Sequence, residues 1–146
     1  MRVMVILKSD QNGDKEMQPT PEMKEAWEAM GKYNAELVKA GVFLQAEGLL
    51  PTSKGKRVRF SGNERTVLDG PFIESKEIVA GFWIWQVKSM EEAVEWLKRA
   101  PFERGTEVEI RQVGELSEVS PDILAPEEAS RRQAVKDEIR QKAAKP

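Results

Sequence analysis

The segment from Val79 to Lys88 reads VAGFWIWQVK, with apolar side chains at odd and even positions alike. Alternate residues of a strand face opposite sides, so Phe82 and Ile84 point one way while Trp83, Trp85 and Val87 point the other. The first eight residues, MRVMVILK, repeat the pattern, with Val3, Val5 and Leu7 against Met4 and Ile6. Strands of this kind need cover on both faces. A single sheet with one wet face is therefore excluded.

The remaining signals give the cover for one face only. Thr20-Pro21-Glu22 supplies a helix cap, a proline at the first helical position and an early acid. Met23, Trp27, Met30, Asn34, Leu37 and Val38 follow mainly at three- and four-residue spacing, with Gly41 as the stop. Val42 to Leu50 reads as a second strand. Lys56 to Phe60 and Arg65 to Leu68 flank the turn Ser61-Gly62-Asn63-Glu64 and read as a hairpin. Ser89-Met90-Glu91-Glu92 is a capping box that opens a second helix to about Ala100, and Glu107 to Val113 is a last strand.

The order β-α-β-β-β-β-α-β, with the hairpin removed, is an α+β ferredoxin-like split β-α-β sandwich, both helices on one face of an antiparallel sheet. The domain is expected over residues 1–113, with 114–146 as a charged, partly helical C-terminal extension. The second sheet face then requires a partner sheet, most simply from another copy, in a dimeric α+β barrel. A monomer would need the extension, or another element, over the tryptophan side.

Composition narrows the chemistry. The chain has 146 residues, 33% charged, with a net charge of -2, no cysteine and no histidine. That is the size of one ordinary domain. A disulfide, a cysteine nucleophile, a Ser-His-Asp triad and a Cys/His zinc site are all excluded within it. Acid–base work falls to Asp, Glu, Lys, Tyr or water. No stretch approaches the length of a membrane span and the N-terminus lacks a signal-peptide pattern, so a soluble, cytoplasmic protein is expected.

The stretch Asp69-Gly70-Pro71-Phe72-Ile73-Glu74-Ser75-Lys76-Glu77, followed by Gly81-Phe82, resembles the signature of the YCII-related family in its DGPF-containing branch. GVFLQAEGL from Gly41, Val58-Arg59-Phe60, and SMEEAVEWLKRAP from Ser89 are similar to the family pattern and stand in the same order. The resemblance implies a ferredoxin-like fold and a dimeric barrel. Some members pair a histidine on the first helix with an aspartate. Here the histidine position falls on Met30, so the resemblance does not imply a His-Asp mechanism.

Asp69 is the first candidate for chemistry. Its structural reading is a turn carboxylate bonded to backbone N–H groups. Its functional reading is an acid or base in a pocket with Glu47, Glu74 or Glu77, where neighbouring carboxylates push one another's protonation into a useful range. Glu47 interrupts an apolar strand and is either solvent-facing or paired, with Lys76 and Arg59 as candidate partners. The expected catalytic set is Asp69, Glu47 and Glu77. Phe72, Glu74, Lys76, Phe82, Trp83 and Tyr33 are the expected substrate-binding residues, without metal or cofactor. Lys54, Lys56, Arg57, Arg59 and Arg65 cluster on the hairpin, but the overall acidity and the lack of interleaved aromatics favour a solvated face over nucleic acid. Asp10 to Asp14 resembles the start of a calcium loop with its glycine misplaced and no closing glutamate, so it is set aside. Two functions fit: a homodimeric small-molecule binder performing cofactor-free acid–base chemistry of lyase, isomerase or hydrolase type, and a non-catalytic ligand-binding or regulatory module.

Overall fold

The computed structural model describes residues 1–9, 14, 19–72, 77–115 and 125–143. It comprises two compact units, Met1–Gln112 and Val113–Pro146. The first contains β1 (Arg2–Ser9), α1 (Pro21–Lys39), β2 (Phe43–Gly48), β3 (Lys56–Ser61), β4 (Glu64–Asp69), β5 (Ile78–Gln86), α2 (Met90–Leu97) and β6 (Val108–Gln112). The second contains α3 (Pro126–Ala143).

Local chemistry fixes the helix starts. Thr20 Oγ1 accepts a hydrogen bond from Met23 N at 3.3 Å, and Pro21 occupies the first turn of α1, where its missing N–H costs nothing. Ser89 Oγ accepts from Glu92 N at 3.2 Å, as the capping box requires. The reciprocal Glu92 carboxylate reaches one residue further back than expected, accepting from Lys88 N at 2.6 Å. Gly41, at φ 73°, follows α1 as the expected stop.

The sheet order is β2-β5-β1-β6, with every neighbour pair antiparallel. This is an α+β arrangement compatible with the ferredoxin-like plan. Strand β5 splits β1 from β2, and β1 lies between β5 and β6. The hairpin β3–β4 forms its own two-stranded sheet, running from Lys56↔Asp69 to Ser61↔Glu64. Along it only Leu68 is half-buried and the other strand residues are exposed.

Which face the helices take differs from the expectation. Trp83 and Trp85 do not await a partner; they lie under the helices, in a core with Val3, Val5, Tyr33, Leu37, Val42, Val87 and Ala93. The reason is bulk together with polar satisfaction. The indoles fill the space between a flat sheet and two cylinders, and α1 supplies an acceptor, Asn34 Oδ1, at 3.0 Å from Trp83 Nε1. Trp85 is fully buried, and its Nε1 has no hydrogen-bond partner among the described residues. Tyr33 is also core: its hydroxyl donates to Trp96 O at 2.8 Å and ties α1 to α2. Burying side chains of this size stabilises by about 1.5–3 kcal/mol each. Trp27 and Val38, expected on the inner face of α1, are 66% and 59% exposed.

In the second unit, α3 is mostly polar, and its Val135 and Ile139 are exposed. Its Glu128–Arg132 and Glu138–Lys142 pairs are spaced four residues apart, and Lys136 Nζ reaches Glu115 Oε2 at 3.1 Å.

Candidate functional site

The sheet face turned away from α1 and α2 carries the chemistry that the candidate residues bring together. Register places Glu47 of β2 opposite Phe82 of β5, Phe82 opposite Ile6 of β1, and Ile6 opposite Glu109 of β6. One row across all four strands therefore reads Glu47-Phe82-Ile6-Glu109. The next row reads Gln45-Ile84-Met4-Arg111 by the same registers. Met4, Ile6, Phe82 and Ile84 form an apolar band, each half-buried, with polar residues on both edge strands.

At the β6 edge the charges are paired. Lys8 Nζ lies 2.6 Å from Glu109 Oε2 and 3.3 Å from Glu77 Oε2. The hydrogen bond to Lys8 holds the Glu109 carboxyl below its ordinary range, and the hydrogen bonds to Glu109 and Glu77 raise the Lys8 ammonium above its own. Glu47, at the β2 edge, is exposed and has no ion-pair partner among the described residues.

Asp69 belongs to a different place. It closes β4 on the hairpin, is 76% exposed, and forms an ion pair with Lys56. The hairpin register makes this pairing direct, since Lys56 and Asp69 are cross-strand neighbours. Counting back from the turn at Gly62 and Asn63 gives the same pair from sequence alone.

The base of the hairpin is built around a residue that sequence reasoning set aside. Asp14 Oδ1 accepts from Thr52 N at 2.7 Å, and its other oxygen accepts from the Thr52 hydroxyl. Thr52 Oγ1 in turn accepts from Phe72 N at 3.2 Å, and Gly70 N donates to Gly55 O at 3.0 Å. A Cβ on Gly70 would stand 1.7 Å from Thr52 O, which is why glycine follows Asp69. The peptide bond between Gly70 and Pro71 is cis. Phe72 is half-buried and packs beneath the Arg57 guanidinium, 3.9 Å from its ring centroid. No local motif announces the Asp14–Thr52 clamp, because its partners lie 38 residues apart.

The candidates thus fall into three groups. Glu47, Phe82 and Glu77 accompany the sheet face, Asp69 and Phe72 accompany the hairpin, and Trp83 and Tyr33 lie in the core. Burial pushes the Tyr33 hydroxyl up to about 12. Glu74 and Lys76 lie outside the described residues.

The sequence model of the YCII-related domain family matches residues 1–117. The chain belongs to that family. It is also 36% identical over 61 residues to an uncharacterized protein of Rhizobium meliloti (strain 1021), an alignment covering 42% of this chain and 49% of the relative. The alignment thus spans about half the length of that curated relative. Among the described residues of this YCII-related chain, no helix is long and apolar enough to cross a membrane.

Proposed function

We propose that this YCII-related protein acts as a homodimer in which two copies close over their Met4/Ile6/Phe82/Ile84 faces, as a dimeric barrel of the DGPF-containing branch, and bind a small organic molecule there. The observation that carries this reading is the row Glu47-Phe82-Ile6-Glu109, an apolar band ending in carboxylates at both edge strands. Closing the band removes apolar surface from water, and it places Glu47 beside a dry wall without a countercharge. A carboxylate so placed can exchange a proton with a bound substrate, without a cofactor. Glu77, paired with Lys8 at 3.3 Å, orients a polar substrate group in this reading. Phe72, at the base of the hairpin, shapes the entrance in this reading.

A second reading, a non-catalytic ligand-binding module, is favoured by the lysine that pairs with each of Asp69 and Glu77. Native mass spectrometry of the intact chain tests the common ground. The expected result is a dimer for the wild type and a monomer, folded by circular dichroism, for Ile84→Lys. A monomeric wild type overturns the proposal, as does an Ile84→Lys protein that remains dimeric. A small mass retained on the wild-type dimer and absent from a folded Glu47→Gln dimer supports Glu47 as a ligand contact.

A further inference from the structure

The β3–β4 hairpin is a sheet of two strands, and such a ribbon is marginally stable in water unless something packs on it. Its register puts Val58 opposite Val67 and Phe60 opposite Arg65, all on one face. That face is bare: Val58 and Val67 are exposed and Phe60 is 71% exposed. The Arg65 guanidinium, 4.4 Å from the Phe60 ring centroid, meets one side of the ring only. A second bare patch lies at the root of this arm. Leu49 N donates to Ala80 O at 2.8 Å, which continues β2 along β5 and places Leu49 one row beyond Glu47 and Phe82. Leu49 and Val79 are exposed there, and Leu50 is 78% exposed. Within one chain the arm does not lie on this patch, although Val58 follows Leu50 by only eight residues. The Asp14–Thr52 clamp and the Gly70–Gly55 hydrogen bond fix the root in that arrangement.

Three observations select a second copy of the chain as the cover. The arm from Lys54 to Asp69 carries five cations and two acids, a net +3, whereas the other residues carry 18 cations and 23 acids, a net -5. Another copy is thus opposite in charge to the arm. The arm leaves the sheet directly after the bare patch, the layout that lets two arms cross about a two-fold axis, each resting on the other's patch. The patch also continues the row order of the sheet face on which two copies are proposed to close. We propose that the hairpin is an exchanged arm: in the dimer each copy lays Val58, Phe60 and Val67 on Leu49, Leu50 and Val79 of the other. The arm then walls the end of the other copy's sheet-face site, beside Glu47, so that neither site is complete in one chain. This inference rests on the face-to-face dimer of the preceding section.

The test mixes intact chains labelled at valine methyls with intact chains labelled at leucine methyls and lets them reassemble, so that every valine–leucine nuclear Overhauser cross-peak arises between copies. Cross-peaks from Val58 and Val67 to Leu49 and Leu50 are expected. In Phe60→Glu the new carboxylate faces Arg65 across the hairpin, at a position exposed in one chain, so the single chain keeps its fold. By analytical ultracentrifugation this variant is expected to raise the dimer dissociation constant at least about tenfold, and Phe60→Leu by no more than about threefold. A wild-type dimer without those cross-peaks, or a Phe60→Glu dimer as tight as the wild type, overturns the exchanged arm and leaves the face-to-face dimer standing. A monomeric wild type overturns both.

Discussion

Replacing Gly70 by alanine tests the account of the hairpin base most directly. The added Cβ would sit 1.7 Å from Thr52 O and 2.6 Å from Thr52 C, while real Cβ contacts do not fall under 3.0 Å. The neighbouring atoms are backbone, so relief requires the chain at Thr52 to part from the chain at Gly70. That separation stretches Gly70 N to Gly55 O and Phe72 N to Thr52 Oγ1, the two bonds that bridge these segments. Two hydrogen bonds at about 1 kcal/mol each, with about 1 kcal/mol or more of residual overpacking, give a loss of roughly 3 kcal/mol. Gly31 is the internal control. It lies in α1 with nothing within 4 Å of its added Cβ, so alanine there should stabilise by about 0.5–1 kcal/mol. In thermal unfolding followed by far-ultraviolet circular dichroism, the two variants should differ in Tm by roughly 10–20 °C, with Gly31→Ala the higher. A Gly70→Ala protein melting within about 3 °C of the wild type would refute the close-approach argument.

The core allows two more expectations. Trp83→Phe loses the indole bond to Asn34, whereas Trp85→Phe removes an N–H that has no partner, so Trp83→Phe should cost about 1 kcal/mol more in urea unfolding. Tyr33 is pushed from the usual 10 to about 12 in the folded chain. Its contribution is complete below pH 10 and is lost as pH rises toward 12, because the unfolded phenol ionises first. Stability should therefore fall more steeply between pH 10 and 12 in the wild type than in Tyr33→Phe, and parallel profiles would contradict the burial of this hydroxyl.

Much of the fold was legible in the sequence because its signals are local. Thr20-Pro21, Ser89 with Glu92, and the Gly62-Asn63 turn act within three or four residues, and the structure uses each where the chain announces it. The two-sided pattern of Val79 to Lys88 asks for cover on both faces, and the structure supplies it on the Trp83 and Trp85 side. It did not say which face the helices take, since alternation assigns residues to sides without naming the sides. That choice rests on Asn34 and Tyr33 reaching partners 49 and 63 residues away. The candidate site divided for the same reason. Asp69, Glu47 and Glu77 each bring a carboxylate on or beside a strand, but the inserted hairpin carries Asp69 into its own two-stranded sheet while the other two follow the main one. Asp14 was invisible as a clamp, since a carboxylate in a polar loop looks alike whether it meets water or a threonine.

The central position of β1 also sets the timing of synthesis. Val5 finds its neighbours at Trp83 and Ile110, so the strand translated first must wait for residues made roughly 75 and 105 positions later. At about 5–20 residues per second, the stripe from Val3 to Leu7 spends several seconds outside the ribosome with no strand to pair with. Before β5 is made, α1 and the β3–β4 hairpin, whose contacts are local, can form. The newborn chain is thus a helix and a hairpin beside an unpaired apolar strand, an aggregation hazard that ends when β5 and then β6 emerge and fit against β1.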